Sequence, residues 1–466
     1  MPTSSTTRVL GHLRSIRLSK FAITLGVIAL VGLTIRIVFT VTLAADLPFR
    51  FDPQSYHLIG TNLAHGVGYV RPPQLSAPGV VAVPTAEFPP LFPGLIAFMT
   101  LLGLHSVTAQ SLFMCFVGTS TVVLVGLAGR RIAGTTVGCV AAAIAAVHPL
   151  IFQPDGVLMS ESLYMALVSG ALLAALVAVD RPDDWRPWAL LGALIGFAAL
   201  TRTEALFLVP VLSIPLALRR GGATRHARAR ATVIAIAASI VVVAPWTLRN
   251  ALEFDRFVPV STNTGTVLAG ANCYDTYHGV TVGSWRFPCI ELAALTDGEG
   301  ATIRPSGRNE AEIYDSWRGI GVDYLTDHIG DVPRVEAHRI LRTWGLWDRA
   351  DELSFDVGEA RNRTLQTIGY WLARVLLPFA IAGAVIMWRR RRPVWVLLAP
   401  CAVATIVTMI GYGSTRMRAG AEPALAILTA ISIVTVVRIV RTKRTPAAIA
   451  TTATPTTGSR TAETSR

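Results

Sequence analysis

"PPLFPGLIAFMTLLG", residues 89–103, is apolar enough for a membrane segment, but it carries three prolines and falls short of the roughly 20 residues a helix needs to cross the hydrocarbon core. Whether it crosses decides how the rest of the chain is threaded. Ten other apolar runs approach or reach bilayer length, near 21–44, 108–128, 132–150, 162–180, 187–202, 204–218, 231–247, 367–388, 394–412 and 422–440. If 89–103 does not cross, the basic clusters at 8–20, Arg130 with Arg131, Arg181 with Arg186, 219–230, "RRRR" at 389–392 and 438–444 all fall on one side. The positive-inside rule makes that side cytoplasmic. If it does cross, the strong clusters on either side of it disagree. The segment is therefore expected to be an interfacial or re-entrant helix, with about ten spans and both termini cytoplasmic.

Composition agrees with a polytopic, all-α membrane protein. Of 466 residues, 52% are hydrophobic and 15% charged, against about a quarter charged in soluble domains, and the mean hydropathy is +0.51. A net charge of +13 raises nucleic acid as a partner, but the basic residues stand in short clusters between apolar runs, where they orient helices. The first run, from Phe21 to about Ala44, is longer than the 7 to 15 or so residues of a signal-peptide core, so it is expected to be a retained helix. Cys115, Cys139 and Cys401 lie within apolar runs as small hydrophobes. Cys273 and Cys289 stand in a polar segment and are expected to pair if it faces an oxidising compartment.

This topology sends every unusual polar cluster to one face, outside the cytoplasm: the first loop 45–107, residues 150–161, the hinge at Arg202 and Glu204, the long segment 248–366 and "GSTRMRAGAEP" at 413–423. Residues 248–366 are too long and polar for a connector. The spacing of Ile313, Trp317, Gly321 and Tyr324, then Val335, Ile340, Leu341 and Trp344, predicts a small, mostly helical outer subdomain. The chain thus divides into a transmembrane module at 1–247, that subdomain at 248–366, C-terminal spans at 367–440, and a Thr, Ala and Pro-rich tail at 441–466 of disordered composition.

Asp52, just past the first span, is placed to take a proton from a hydroxyl nucleophile; Tyr56 and His57 share its loop. Arg202 and Glu204 interrupt an apolar run, where ionisable groups are costly and point to function unless they simply pair with each other. Arg36, inside the first run, is expected to snorkel to the surface. Arg416 and Arg418 stand on the outer face against the positive-inside tendency, and a guanidinium fork grips phosphate bidentately. Arg249, Asn250 and Asn263 border "STNTGTVLAGAN", whose hydroxyls and amides suit a sugar. Glu87 and His278 are candidate ligands for a divalent metal ion, although His57, His278 and His328 each suit structural roles. No cofactor is required by any motif.

In their order, "FDPQSYHLIGTNLAHGVGY", "AEFPPLFPGLIAF", "MSESLYMALV", "GALIGFAALTRTEALFLVP", "APWTLRN" with "FVPVSTNTG", and "GYGSTRMRAGAEPAL" resemble the GT-C membrane glycosyltransferases, in particular the protein mannosyltransferase and aminoarabinose transferase branch that uses polyprenyl-phosphate sugars. The resemblance implies that Asp52 is the general base, that Glu87 matches an acidic position sometimes associated with a metal, and that Arg202, Arg416 and Arg418 face the lipid phosphate. Where the mannosyltransferases carry an Asp-Glu pair this chain has "FDPQ", which favours a glycan or lipid acceptor over protein. The expected function is inverting transfer of a sugar from a polyprenyl phosphate to an extracytoplasmic glycan, lipid or protein in envelope assembly at the plasma membrane. A lipid-sugar flippase is the rival, but its polar residues belong near the bilayer midplane. A non-catalytic assembly protein, with Asp52 dispensable, is the other.

Overall fold

The structure, a computed structural model, describes residues 19–72, 82–218, 224–297, 307–347 and 349–444. The N-terminal basic cluster up to Arg17 and the tail from residue 445 onward lie outside the described residues. In chain order the helices are α1 (Lys20–Phe39, continued by a π turn Thr40–Ala44), α2 (Phe51–Ala64), α3 (Leu91–Leu101), α4 (Val107–Ala133), α5 (Thr135–Val147), α6 (Pro149–Gly156), α7 (Ser160–Asp180), α8 (Trp185–Ala199), α9 (Leu208–Leu218), α10 (Arg225–Phe254), α11 (Thr264–Ala271), α12 (Tyr274–Tyr277), α13 (Phe287–Thr296), α14 (Glu310–Asp327), α15 (Val332–Thr343), α16 (Arg349–Gly358), α17 (Arg363–Arg389), α18 (Val394–Ile410) and α19 (Glu422–Arg444). Among the described residues the only β pairing is an isolated bridge between Val70 and Pro84.

Six helical stretches are long and apolar enough to cross a membrane: Lys20–Ala44, Val107–Ala133, Ser160–Asp180, His226–Phe254, Arg363–Arg389 and Thr415–Thr442. The chain is a multi-pass membrane protein. The expected run at 132–150 is a helix pair, α5 and α6, bent by 52°. The runs at 187–202, 204–218 and 394–412 form helices of 15, 11 and 17 residues, shorter than the roughly 20 residues of a full crossing. The segment 89–103 forms the 11-residue α3. Its first amide donates to the carbonyl of Leu200 at the end of α8 (2.8 Å), which ties the first loop to the Arg202 hinge.

One apolar core of Ala, Val, Leu and Ile side chains runs through α1, α4, α5, α7, α8, α17, α18 and α19. Small residues let backbones touch, as in other membrane bundles. A Cβ on Gly192 would stand 2.0 Å from the carbonyl of Ala235, and one on Gly383 would stand 2.0 Å from that of Leu428. Arg36 does not snorkel: it is fully buried, with Nε 2.7 Å from Asp155 Oδ2 and Nη1 donating to the carbonyls of Gly32 and Ala146. The bend between α5 and α6 returns Asp155 into the bundle, where a charge pair is less costly than a lone charge.

The segment expected to form an outer subdomain is folded as the helices α11 to α16, and a disulfide joins Cys273 to Cys289 with Cα atoms 5.9 Å apart. The segment is stitched to the rest of the chain. Glu310, at the start of α14, accepts from the amide of Ala86 (2.8 Å) and from the hydroxyls of Thr85 (2.6 Å) and Thr262 (2.7 Å). Buried Arg339 of α15 donates to the carbonyls of Ala271 and Met409, and the Gly413 amide reaches the Gly283 carbonyl at 2.8 Å. These ties fix the turn that leads into Thr415–Ala421.

Candidate active site

Four chain segments far apart in sequence deliver charged groups to one point. Asp52 lies in the first turn of α2, where the helix dipole favours an anion. Glu161 lies in the first turn of α7, Arg202 caps the 3-10 turn Thr203–Phe207, and Arg416 lies in the 3-10 turn Thr415–Ala421. Arg416 holds them together: Nη2 is 2.7 Å from Asp52 Oδ2, Nε is 2.8 Å from Glu161 Oε1, and Nη1 is 3.4 Å from Glu359 Oε2. The same Glu161 oxygen lies 3.4 Å from Arg202 and 3.6 Å from Arg361, while Arg202 also binds Glu204 at 2.5 Å. Three guanidinium groups therefore converge on one carboxylate.

Burial is uneven across this group. Side-chain exposure is 1% for Glu161 and 8% for Arg416 but 27% for Asp52, so the proposed base is where the cluster opens. Burial, followed by the charge of Asp52, pushes the Glu359 carboxyl up to about 8. Arg202 is held protonated well above the ordinary arginine value, because Glu204 and Glu161 outweigh its burial. Beneath Arg416, α16 places Glu352 and Asp356 one turn apart: Glu352 accepts from the Thr415 amide at 2.9 Å, and Asp356 takes hydrogen bonds from Gln366 and Tyr370. Burial and the Asp356 charge raise Glu352 to about 8.

The backbone is strained at the same place. Among the described residues, five that are not glycine have positive φ, and three of them adjoin this site: Phe51 (51°) before Asp52, Leu158 (52°) three residues before Glu161, and Ala360 (60°) between Glu359 and Arg361. Each costs about 1 to 3 kcal/mol and persists only when its surroundings enforce it.

The other sequence candidates sort by helix geometry. Tyr56, one turn on from Asp52, stays with the site: its hydroxyl donates to Ser160 at 3.1 Å, and burial raises its pKa. His57 faces another way and pairs with Gln110 at 2.8 Å. Arg418 is two residues beyond Arg416, about 240° around a 3-10 turn, and binds Glu422 at 2.8 Å instead. Arg249 donates to the carbonyls of Thr85 and Tyr69 and to the side chain of Asn250, which in turn reaches the carbonyls of Val258 and Val260. Arg249 thus ties the first loop to α10, and Asn250 ties α10 to the segment that follows it. Asn263 precedes α11 and bonds the Thr266 hydroxyl.

Glu87 belongs to a neighbouring cluster, 2.8 Å from Arg71, which also faces Glu310 and Tyr314. His278 stacks on Tyr274 and bonds its carbonyl. Among the described residues no group of three His, Cys, Asp or Glu is arranged to hold a metal ion.

Sequence reading missed Glu161, Glu359 and Arg361. Glu161 carried a usable signal, an ionisable group at the head of an apolar run. Glu359 and Arg361 sit in a polar stretch, "DVGEARNR", with nothing to single them out.

A model of the family described as dolichyl-phosphate-mannose-protein mannosyltransferase matches residues 87–248. The fold is similar to that of the oligosaccharyltransferase AglB from Archaeoglobus fulgidus. The structure with an inhibitory peptide and a dolichol-phosphate overlays at TM-score 0.54 with 13% identity, covering 91% of this chain and 51% of that one. The structure tethered to an acceptor peptide overlays at 0.57 with 15% identity, covering 92% and 51%. This chain thus spans about half the length of the matched oligosaccharyltransferase. ArnT from Cupriavidus metallidurans bound to undecaprenyl phosphate matches at 13% identity over 92% of this chain and 82% of that one, with a TM-score of 0.42. No curated protein matches the sequence.

Proposed function

We propose that this chain, a multi-pass membrane protein with the fold of the GT-C glycosyltransferases, transfers a sugar from a polyprenyl phosphate to a hydroxyl acceptor outside the cytoplasm. The observation that carries the reading is the junction at Arg416, where a half-buried carboxylate, Asp52, meets a set of guanidinium groups gathered on Glu161. A glycosyl phosphate already has an activated leaving group. The protein's work is to take the proton from the acceptor and to stabilise the charge left on phosphate.

In this mechanism the lipid-linked donor enters sideways from the bilayer and its phosphate takes Arg416 together with Arg202 and Arg361. Asp52, released from Arg416, accepts the acceptor's proton. The acceptor oxygen forms a bond to the anomeric carbon from the face opposite phosphate, the carbon–oxygen bond to phosphate breaks, and its electron pair stays on the phosphate. The product sugar is inverted. Tyr56 and Ser160 hold the floor beside Asp52, and Glu161 keeps the arginines aimed at one point.

The one-sided basic clusters in the sequence support a reading with this face outside the cytoplasm, and with it a plasma-membrane enzyme acting on an envelope glycan, lipid or protein. The dolichol-phosphate and undecaprenyl phosphate named in the matched structures are of the same donor chemistry. "FDPQ", without the Asp-Glu pair, favours a glycan or lipid acceptor.

The test is an in vitro transfer assay with membranes, a panel of radiolabelled polyprenyl-phosphate sugars and the Asp52→Asn variant. Loss of a positioned general base should lower transfer by about 10²- to 10⁴-fold with insertion unchanged. Wild-type transfer by a correctly inserted variant would remove Asp52 from the mechanism, and failure to consume any donor would remove the enzyme class.

A further inference from the structure

Three carboxylate oxygens in the site are buried and accept no hydrogen bond, Asp356 Oδ1 on α16 and, on either side of Arg416, Glu161 Oε2 and Glu359 Oε2. The last two flank one guanidinium. Arg416 donates from Nε to the other oxygen of Glu161 at 2.8 Å, and its Nη1 lies 3.4 Å from Glu359 Oε2 without hydrogen-bond geometry. Native proteins keep few buried polar atoms unsatisfied, and those they keep call for an explanation.

Phosphate does not supply one. Its oxygens are acceptors and carry negative charge, so they belong with the guanidinium groups and are repelled by carboxylates. What Glu161 Oε2 and Glu359 Oε2 lack is an O–H or N–H donor. A donor phosphate on Arg416, Arg202 and Arg361 would carry its sugar within a few bonds of both oxygens, and a sugar's outer edge is a row of hydroxyls. Glu359 is also set for this use. Ala360, in the left-handed region at φ 60°, fixes the turn between Glu359 and Arg361. A carboxyl pushed up to about 8 is mostly protonated near neutral pH, so it can accept from one hydroxyl and donate to another without opposing the phosphate charge.

We propose that Glu359, backed by Glu161, is the hydroxyl-recognising subsite for the donor sugar, so that the enzyme selects a neutral polyhydroxylated sugar and rejects uronic acids. This rests on the donor class proposed above. A site that hydrogen-bonds substrate hydroxyls discriminates strongly against analogues that leave its polar groups unpaired, and a uronate would add a carboxylate beside Asp52 and Glu161.

The test is equilibrium binding to the purified full-length chain in lipid nanodiscs, with three probes: bare undecaprenyl phosphate, undecaprenyl phosphate bearing each of a panel of neutral hexoses and pentoses, and its glucuronate counterpart. Wild type should bind its best neutral sugar about tenfold or more tighter than the bare lipid phosphate, and the glucuronate no tighter than the bare lipid. Glu359→Ala should erase the preference for the neutral sugar, read as the ratio of its affinities for the neutral sugar lipid and for bare undecaprenyl phosphate measured on the same variant. Glu359→Gln, which keeps an acceptor and a donor, should retain part of the preference. A sugar preference that survives intact in Glu359→Ala, or is absent in wild type, overturns the subsite and leaves the phosphate reading standing. Failure of wild type to bind bare undecaprenyl phosphate overturns the donor class, and the subsite falls with it.

Discussion

Arg36 and Arg416 are both buried arginines paired with a carboxylate at 2.7 Å, yet their surroundings differ in kind. Arg36 meets a single carboxylate, both partners are fully buried, and backbone carbonyls of Gly32 and Ala146 take its Nη1, leaving its Nη2 without a partner. Arg416 meets three carboxylates, one of which opens toward solvent, and two carboxylate oxygens beside it have no donor. A closed pair locks helices; an open, over-supplied cluster waits for a ligand. Asp155 itself shows how tightly the first is built, since a Cβ on Gly118 would fall 1.9 Å from its Oδ2.

The sharpest break between them is chemical. Arg416→Ala should lower polyprenyl-phosphate-dependent transfer by about 10²- to 10³-fold, in line with removal of one charge-stabilising donor, while Arg418→Ala, whose side chain binds Glu422, should leave the catalytic rate within a few-fold once stability is matched. Steady-state kinetics on the two purified variants checks this, and equal losses would mean that the turn acts only as a scaffold.

The closed pair should respond in stability instead. Asp155→Ala strands a buried guanidinium and should cost about 3 to 5 kcal/mol, whereas the double change Arg36→Met with Asp155→Leu should recover most of that loss. Thermal unfolding in detergent measures it. A double variant as unstable as the single one would show that the charges are needed for more than neutralising each other.

A smaller effect concerns backbone strain. Ala360→Gly relieves a left-handed residue and should leave the fold as stable or stabilise it by up to about 1 kcal/mol, while loosening the turn that carries Glu359 and Arg361. Transfer falling as stability holds would tie that strain to the site.

The last is a pH effect. Glu359 keeps its proton to about 8 when folded, against roughly 4.3 for an unperturbed Glu. Between those values the unfolded chain has released a proton that the folded chain retains, so this group's contribution favours folding less and less as pH rises from about 4.3 to 8 and is constant above. Glu359→Gln should flatten the fall in melting temperature between pH 6 and 9 relative to wild type. Glu352, also raised to about 8, contributes equally to both proteins and cancels in the difference.

Much of this was legible in the chain itself, and for plain reasons. Hydropathy and the basic clusters announce an all-α membrane protein because lipid demands apolar helices whose backbone groups are satisfied internally. Arg202 and Arg416 stood out because ionisable groups are conspicuous beside apolar runs, and the structure brings both to Glu161, with Arg416 also reaching Asp52. Arg36 shows the limit of the same signal: the sequence displays the charge, but only the bend between α5 and α6 places Asp155 where it can pair.

What sequence could not separate were groups that look alike locally. Arg416 and Arg418 share one turn, and the 3-10 geometry sends one to Glu161 and the other to Glu422. Glu87 reads as a candidate metal ligand on the first loop, but Arg71 claims it. Glu359 and Arg361 sit in an unremarkable polar stretch, more than 300 residues from Asp52 in sequence. The sequence by itself determined the membrane class, the segregation of charge and the chemistry of the candidate groups, because those follow from composition and short periodicities. Which of them meet was decided by tertiary structure, because convergence on Glu161 depends on how α2, α7, the Arg202 hinge and the 415–421 turn are packed at one end of the bundle.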